Sequence, residues 1–456
     1  MQPTDPFSAQ PQESSFWQRQ GTTLKGILIF ILVLALLIPT FMIEGIIHER
    51  ESRQAEAISE VSSKWGNRQT LAGPVLVLPF EQILRNDKGL ETGRLLKQAY
   101  FLPDALQISG TISPEKRHRG IFEVVLYSGQ LALEGTFTQP AVEKIIPSDA
   151  VILWSKAMLV LGIPDLRGLK DQVTLQWDGK GLVADPGIPV TGVAESGIHV
   201  PLDLTPIPAT LPENKTEHKF RLDVALKGSG SLFFTPVGKV TQLHLNSPWP
   251  DPSFTGAFLP DEKTISATGF DASWKILNLN RNYPQLWTSD QQQVFESSGF
   301  GVEFLLPVDN YQKSTRSVKY AILFIGLTFL CVFFIEMRQS NRVHPFQYAL
   351  IGLALVIFYT LLVSISEHIP FNPAYLISAI MTVGLTGLYA GSLFHSTRMG
   401  LLVGGTLTVL YGFLFITLQQ QDYALLTGSI GLFGILAVVM YASRKINWYG
   451  RQTGVE

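Results

Sequence analysis

Cysteine and charged residues are both scarce in this 456-residue sequence. The one cysteine, Cys331, lies inside an apolar run, so disulfides cannot stabilise the segments outside such runs. Charged residues make up 16% of the chain, against about 25% in a typical soluble domain, and hydrophobic residues make up 46%. This composition excludes an ordinary soluble protein and favours membrane spans combined with a water-exposed domain. A net charge of −2 without a basic cluster also argues against nucleic acid as a partner.

The sequence also lacks the motifs on which most enzymes rely. His-Glu-x-x-His, Gly-x-Ser-x-Gly and histidines four residues apart are absent, and the Ser-x-x-Lys pattern at 113–116 lacks its companion motifs. We therefore predict a non-enzymatic protein with no cofactor and no metal site. An enzyme would need Asp, Glu, His or Ser residues far apart in sequence to converge in one cleft.

Six apolar runs are long enough to cross a bilayer, which requires roughly 20 helical residues. We assign residues 24–44 to the first transmembrane helix and residues 1–23 to a preceding tail. The first run is longer than the apolar core of a signal peptide and no small-residue cleavage site follows, which predicts an uncleaved anchor. Five further spans are predicted within residues 318–443, followed by a tail at 444–456. These five runs lie at 318–335, 346–365, 374–394, 400–418 and 423–442.

Lysine and arginine alternate between the loops that join these spans. Basic residues precede the first span, lie between the second and third and between the fourth and fifth, and follow the sixth. The loops at 366–373 and 419–422 contain none. Because basic loops stay on the cytoplasmic side, this alternation predicts cytoplasmic termini and places residues 45–317 outside. The basic residues are Arg19, Lys25, Arg338, Arg342, Arg398, Arg444, Lys445 and Arg451.

The sequence pattern of residues 45–317 is typical of a sheet domain preceded by a stalk helix. Apolar residues at helical spacing continue from the anchor to Trp65, which predicts a helix that docks on the domain. From Gly73 onward, short apolar or alternating runs are separated by Pro, Gly, Asp and Asn. Strands without intervening helices predict a large antiparallel domain of the β-sandwich type. The predicted fold class is therefore membrane α with an all-β soluble domain inserted between the first and second spans.

Two polar or aromatic clusters in this domain are candidate contact sites for a partner. Asp165 and Arg167 follow an apolar run, and a pair of this kind either contacts a partner or forms a structural salt bridge at a turn. The proline-rich segment 247–254 contains Trp249 and Phe254, which offer large apolar area. It either presents an aromatic contact to a partner or forms a rigid loop that covers the core.

The predicted spans contain no ionisable residue near mid-membrane, because Glu336, Glu367 and the other charged groups lie at span ends. Charge-driven pumping is therefore disfavoured. Tyr359, Tyr389 and Tyr411 are candidate intramembrane polar groups, and a cavity lined by them would indicate transport of a neutral or lipid-like substrate. Pairs of glycines four residues apart, at 387 and 391 and at 400 and 404, predict close helix packing.

Several short stretches of the chain are distinctive in combination. They include Leu-Ile-Pro at 37–39, Gly-Pro-Val-Leu at 73–76, Tyr-Ser-Gly-Gln at 127–130, Asn-Ser-Pro-Trp-Pro at 246–250 and His-Pro-Phe-Gln-Tyr at 344–348. Together these stretches resemble the CreD family of bacterial inner-membrane proteins. The resemblance covers nearly the whole chain. It implies a multi-pass protein of the bacterial inner membrane, controlled by a two-component system and associated with envelope integrity, colicin tolerance and the β-lactam stress response. It supplies no reaction and no catalytic residues.

The leading hypothesis is a cell-envelope integrity protein whose periplasmic domain binds an envelope component or a protein partner. The alternative is a transporter or lipid-handling protein that uses the C-terminal helices. The lipid bilayer is the expected environment of the spans.

Overall fold

The computed structural model describes residues 21–138, 140–204, 217–291, 293, 295–304, 310–339, 343–420 and 423–444. The chain divides into two compact units. One is the sheet domain, Gln54–Pro307, and the other is a helical unit that combines Met1–Arg53 with Val308–Glu456.

Seven α-helices are described. They are α1 Gly21–Trp65, α2 Asn310–Lys319, α3 Ala321–Gln339, α4 Pro345–Ser366, α5 Phe371–Leu393, α6 Thr397–Gln419 and α7 Ala424–Ser443. In the described part of the chain, five helices (α1, α3, α4, α5 and α6) are long and apolar enough to cross a membrane. This confirms one N-terminal span and a C-terminal group. The sixth predicted span forms α7, whose described apolar segment, Leu426–Tyr441, is shorter than the others.

The helical unit exposes large apolar side chains that a water-soluble bundle would bury. Leu388 on α5, Leu401 on α6 and Phe433 on α7 are 79%, 75% and 74% exposed. Helices that are apolar all round are typical of membrane spans, because lipid replaces water around them. Helix α2 was not predicted, since its sequence is polar. It buries one face through Tyr311, Ser314 and Val318 at helical spacing.

The sheet domain contains two large sheets. The ten-stranded sheet consists of β1 Gln69–Arg85, β2 Glu91–Phe101, β5 Val151–Ile152, β6 Ala157–Gly162, β9 Asp185–Pro186, β10 Gly197–Leu202, β12 Ser231–Phe234, β14 Pro252–Gly256, β17 Leu286–Thr288 and β18 Phe300–Phe304. The eight-stranded sheet consists of β3 Ala105–Arg119, β4 Phe122–Thr138, β7 Thr174–Trp177, β8 Lys180–Val183, β11 Glu217–Ser229, β13 Val240–Ser247, β15 Glu262–Ser266 and β16 Gly269–Leu277.

Most strand pairs are antiparallel, as the sequence predicted, but each sheet contains one parallel pair. Strand β1 pairs in parallel with β12, and β13 pairs in parallel with β3. Both sheets are therefore mixed. The difference arises because the strands that pair in parallel are far apart in the chain, with other strands between them. The short apolar runs in the sequence identify strands but not their partners.

The eight-stranded sheet, referred to here as the outer sheet, has one buried face and one exposed face. In β3 the buried residues Leu106 and Ile108 alternate with the exposed residues Gln107 and Ser109. Since side chains on a strand alternate between faces, the same alternation recurs in β11, β13 and β16. The apolar face contributes to a single core that also takes side chains from the ten-stranded sheet.

Candidate functional site

Two glycine pairs bring α5 and α6 together in the helical unit. A Cβ added at Gly400 would lie 2.7 Å from the carbonyl oxygen of Gly387 and 2.9 Å from the Cα of Gly391. A Cβ at Gly387 would lie 3.5 Å from the Cα of Gly404. The helix backbones therefore approach each other at both glycine pairs, which confirms the predicted packing.

A buried carboxylate joins α1 to α3 and α4 at one end of the helical unit. Lys25 of α1 donates to Glu336, whose side chain is 9% exposed. The same carboxylate accepts hydrogen bonds from the Tyr348 hydroxyl and the Val343 backbone N–H, each 2.9 Å away. Lys25 also donates to the carbonyl oxygen of Val343 at 2.8 Å. The charge of Glu336 is thus fully paired, as a buried carboxylate requires.

A second carboxylate joins α1 to the other end of α4. Glu367, whose side chain is 10% exposed, lies 3.5 Å from Arg50 of α1 and accepts a 3.2 Å hydrogen bond from Tyr311 of α2. Tyr348 and Glu367 are about 28 Å apart at 1.5 Å per helical residue. This separation is close to the roughly 30 Å thickness of the bilayer hydrocarbon layer. The two ion pairs are therefore separated by about the thickness of that layer, as expected for charged groups at the two ends of a span.

Two of the three predicted intramembrane tyrosines meet in the core of the helical unit. Tyr359 and Tyr411 are 1% and 2% exposed, and both rings contact Phe358, at centroid distances of 5.0 and 4.5 Å. Their hydroxyls have no hydrogen-bond partner among the described residues. Tyr389 is half-buried and makes no ring contact with the other two in the described part of the chain. Among the described residues, Tyr359 and Tyr411 therefore belong to one aromatic cluster, and Tyr389 lies outside it.

Asp165 and Arg167 attach the end of α1 to the sheet domain. The guanidinium of Arg167 donates two 2.9 Å hydrogen bonds to the Asp165 carboxylate and one 2.5 Å bond to the Ser63 carbonyl in the last turn of α1. Asp165 also accepts from the backbone N–H of Asn67 at 2.9 Å. Hydrogen bonds from Arg167 lower the pKa of Asp165, against an opposing effect of burial.

Directly after this pair, position 168 has room only for glycine, because a neighbouring backbone lies close to it. A Cβ at Gly168 would lie 2.4 Å from the carbonyl oxygen of Lys227. The ammonium of Lys227 lies 4.3 Å from the centre of the Trp65 ring, and the Trp65 indole donates to the carbonyl of Tyr127 at 3.2 Å. These contacts are internal to the domain, so the salt-bridge interpretation of Asp165 and Arg167 accounts for their positions. The helix end is docked, as the apolar spacing up to Trp65 predicted.

The two aromatic candidates are less available than the sequence suggested. Trp249 is 6% exposed, packs edge-on against Phe304 and donates from its indole to the Asp251 carbonyl at 3.1 Å. Phe254 is half-buried in β14 and packs edge-on against Trp274 at 5.6 Å. The burial of Trp249 favours the alternative interpretation of the proline-rich segment as a rigid loop that covers the core, and partner contact at this segment stays a prediction.

A Ser-His-Asp cluster that sequence analysis missed lies on the exposed face of the outer sheet. His244 Nδ1 is 3.0 Å from the Ser273 hydroxyl, and His244 Nε2 is 3.3 Å from the Asp271 carboxylate. His244 and Ser273 are directly opposite in neighbouring strands. In the sequence, only the spacing of Asp271 and Ser273, which places both on one face of a strand, indicates such a cluster. The strand register is needed to bring His244 beside them. Among the described residues, no group of three or more His, Cys, Asp or Glu side chains could hold a metal ion.

A groove crosses the same face. It has a volume of about 530 Å³, and its wall is a row of polar side chains that are paired directly across neighbouring strands. The row runs from β13 through β3, β4 and β11 to β7. Its members are Gln242, Gln107, Glu134, Arg221 and Gln176. Beside the row, Ala105 and Thr136 are small, which leaves a depression between the row and Lys219.

These features define a multi-pass membrane protein with a large sheet domain inserted after its first span. Comparison with known proteins agrees. Residues 21–449 match the family model of the inner membrane protein CreD. The chain is also 31% identical over 430 residues to the inner membrane protein CreD of Escherichia coli (strain K12), and the alignment covers 92% of each protein. The chain belongs to the CreD family and is a multi-pass inner-membrane protein.

Proposed function

We propose that this protein is a non-enzymatic component of the cell envelope whose sheet domain lies in the periplasm and binds another envelope component. The groove across the outer sheet carries the proposal. It is a recess of about 530 Å³ on the exposed face of the sheet, and a continuous row of polar side chains forms its wall. That volume is in the range of ligand sites, which are typically 300–1,000 Å³. A role in envelope integrity fits a binding domain tied to the membrane.

The alternation of basic loops supports a periplasmic sheet domain. Introduced cysteines test this orientation, because Cys331 is the one native cysteine and lies within α3. A cysteine at Lys88, in the exposed turn after β1, should react with a membrane-impermeant maleimide in cells whose outer membrane has been permeabilised. A cysteine at Arg398 should react only after the inner membrane is broken. The reverse pattern would contradict the proposed orientation.

The absence of catalysis is supported by the surroundings of Ser273. Strand β16 is paired on both sides at this residue, with β13 and with β15, so neighbouring backbone N–H groups are engaged in the sheet. Within the described strands around Ser273, no pair of free N–H groups is thus available to stabilise an oxyanion, which acyl transfer requires. The side chains of His244 and Asp271 are also 49% and 56% exposed, which leaves the cluster solvated.

Substitution of Ser273 separates a binding role from a hydrolytic one. Ser273→Ala should retain wild-type protection of cells in an envelope-stress assay that depends on this protein. Western blotting for the full-length chain would confirm equal amounts in the membrane. If Ser273→Ala abolishes protection at normal protein level, the cluster is catalytic and the non-enzymatic proposal fails.

Photo-crosslinking in intact cells tests the groove directly. A photoreactive residue placed at Gln107 or Gln242 should capture an envelope component. Arg117 provides a matched control, because it lies on the same strand and face as Gln107 but about 33 Å further along. Capture from the groove positions and not from Arg117 is the expected result. Equal capture from all three positions, or none from the groove, would contradict binding there.

A second candidate, handling of a lipid or neutral substrate by the helical unit, rests on the Tyr359 and Tyr411 hydroxyls. Both are buried without a hydrogen-bond partner among the described residues, and an unpaired buried hydroxyl costs about 1–3 kcal/mol. A substrate that bonded to them would recover this cost. Tyr359→Phe and Tyr411→Phe should then impair protection of cells while raising thermal stability. Retained protection would favour the binding role alone.

A further inference from the structure

We propose that the groove of the outer sheet binds an extended, uncharged glycan strand. This inference rests on the proposed function and names the chemical class of the envelope component. Three glutamine amides provide the starting point. Gln107, Gln176 and Gln242 are exposed along one row, and none of them bonds to another group among the described residues. Each amide therefore has N–H donors and a carbonyl acceptor available for a ligand. Sugar hydroxyl and acetamido groups need partners of both kinds.

The charges in the groove neutralise one another. Arg221 donates to Glu134, and it also bonds to Asp223 at 2.9 and 3.1 Å. With Lys219, the lining contains two cations and one anion, and Asp223 supplies the second anion beside it. A strongly charged ligand would therefore find no complementary field. An uncharged ligand would find fixed hydrogen-bonding groups.

The groove does not have the chemistry of a lipid site. Leu106 and Phe220 border it, but their side chains are 1% and 3% exposed and point into the core. Ala105 and Val240 are the remaining apolar members of the lining. Acyl chains need a predominantly apolar recess, whereas six of the thirteen residues that line this groove carry an amide or a charge.

The groove is also unsuited to an added peptide strand. Strands β13, β3, β4 and β11 are each paired on both sides, so their backbone groups are already bonded within the sheet. A peptide that adds to a sheet does so at an unpaired edge. Side chains alone recognise a ligand on this face, and they do so along a line perpendicular to the strands.

The length of the row favours a strand over a single sugar. From Gln242 to Gln176 it crosses five strands, or about 19 Å at 4.8 Å per strand. Lys275 of β16 continues it on one side, directly opposite Gln242. One sugar ring, such as that of a lipid-linked headgroup, would contact only part of this row.

Isothermal titration of the full-length protein in detergent micelles tests the assignment. The probe is a β-1,4-linked hexamer of N-acetylglucosamine, compared with its monomer, with an uncharged decapeptide and with phosphatidylglycerol vesicles. The hexamer should bind, and the other three should bind much more weakly or not at all. The double variant Gln107→Ala/Gln242→Ala should weaken hexamer binding roughly tenfold, since it removes two neighbouring amides.

Gln130→Ala is the matched control, because Gln130 is an exposed glutamine on the same face of β4, outside the groove lining. It should leave binding unchanged, and all variants should keep the wild-type melting temperature. No hexamer binding, equal binding by the double variant, or equal affinity for the monomer would overturn the assignment. If the hexamer fails to bind while crosslinking from Gln107 still captures an envelope protein, the glycan assignment fails and the proposed function stands. If both experiments fail, the groove is not a binding site.

Discussion

Replacement of Asp165 by alanine should destabilise the sheet domain by about 2–3 kcal/mol. Arg167 is 59% exposed, so its ion pair with Asp165 contributes about 1 kcal/mol or less. The larger loss comes from the backbone N–H of Asn67, which is bonded to the Asp165 carboxylate at 2.9 Å and would lose its acceptor. This hydrogen bond is partly buried, and a hydrogen bond to a charged group contributes about 1.5–3 kcal/mol. Detachment of the Ser63 carbonyl from Arg167 would add to this loss.

Tryptophan fluorescence of the full-length protein in detergent provides the assay. Six of the eight tryptophans lie within Gln54–Pro307, so the thermal transition reports on this domain. At about 2–4 °C per kcal/mol for a domain of this size, Asp165→Ala should lower the melting temperature by roughly 5–10 °C.

Asp223→Ala is the matched control for this experiment. Asp223 also bonds to an arginine two residues away, Arg221, through two hydrogen bonds, but its side chain is 62% exposed. Asp223→Ala should change the melting temperature by no more than about 2 °C, because exposed ion pairs contribute little. If the two variants are equally stable, the helix-end contacts of Asp165 do not stabilise the domain and the reasoning is refuted.

The same residue predicts a pH dependence with a definite sign. Because the pKa of Asp165 is lowered in the folded protein, its charge stabilises the fold fully above the unfolded pKa of about 3.9. This contribution is lost as the pH falls through the folded pKa. The melting temperatures of the wild type and Asp165→Asn should therefore differ near pH 7 and converge below about pH 4. A constant difference down to pH 2 would contradict the assigned shift.

Two further predictions concern the helical unit. Gly400→Ala should lower the melting temperature in detergent by an amount that corresponds to about 1–3 kcal/mol, because its Cβ would lie 2.7 Å from a backbone oxygen of α5, whereas Gly405→Ala, which meets open space, should have little effect. Glu336→Ala should cost about 3–5 kcal/mol by leaving Lys25 without its partner, and the double variant Lys25→Met/Glu336→Gln should cost less. Equal stability of the two glycine variants, or additive losses at Lys25 and Glu336, would contradict these accounts.

The sequence predicted the membrane spans well because their signal is local. An apolar run must cross a layer of known thickness, and the glycine pairs at 387 and 400 show close packing by spacing alone. Helix α2 was missed for the converse reason, since it is short and polar. Its buried face can be recognised only from the folded structure, in which the Tyr311 hydroxyl donates to the Glu367 carboxylate.

The candidate sites were harder to predict because they depend on strand register. Gln107, Glu134 and Arg221 come from three strands, and nothing in their local sequence places them in one row. Trp249 illustrates the same limit. A proline-rich segment with an aromatic residue can either cover a core or project from it. In this protein the segment covers the core, because the Trp249 ring packs 6.4 Å from the ring of Phe304, a residue far along the chain.

The position of β12 between β1 and β18 has a consequence for engineering. Gln69, at the start of the first strand, is level with Leu232, which is itself opposite Val302 in the last strand. The chain therefore enters and leaves the sheet only two strand spacings apart, about 10 Å. An insertion with such adjacent ends is a replaceable module. A linker of a few extended residues would close the gap, so the helical unit could be produced without the sheet domain, or with the sheet domain of a relative in its place.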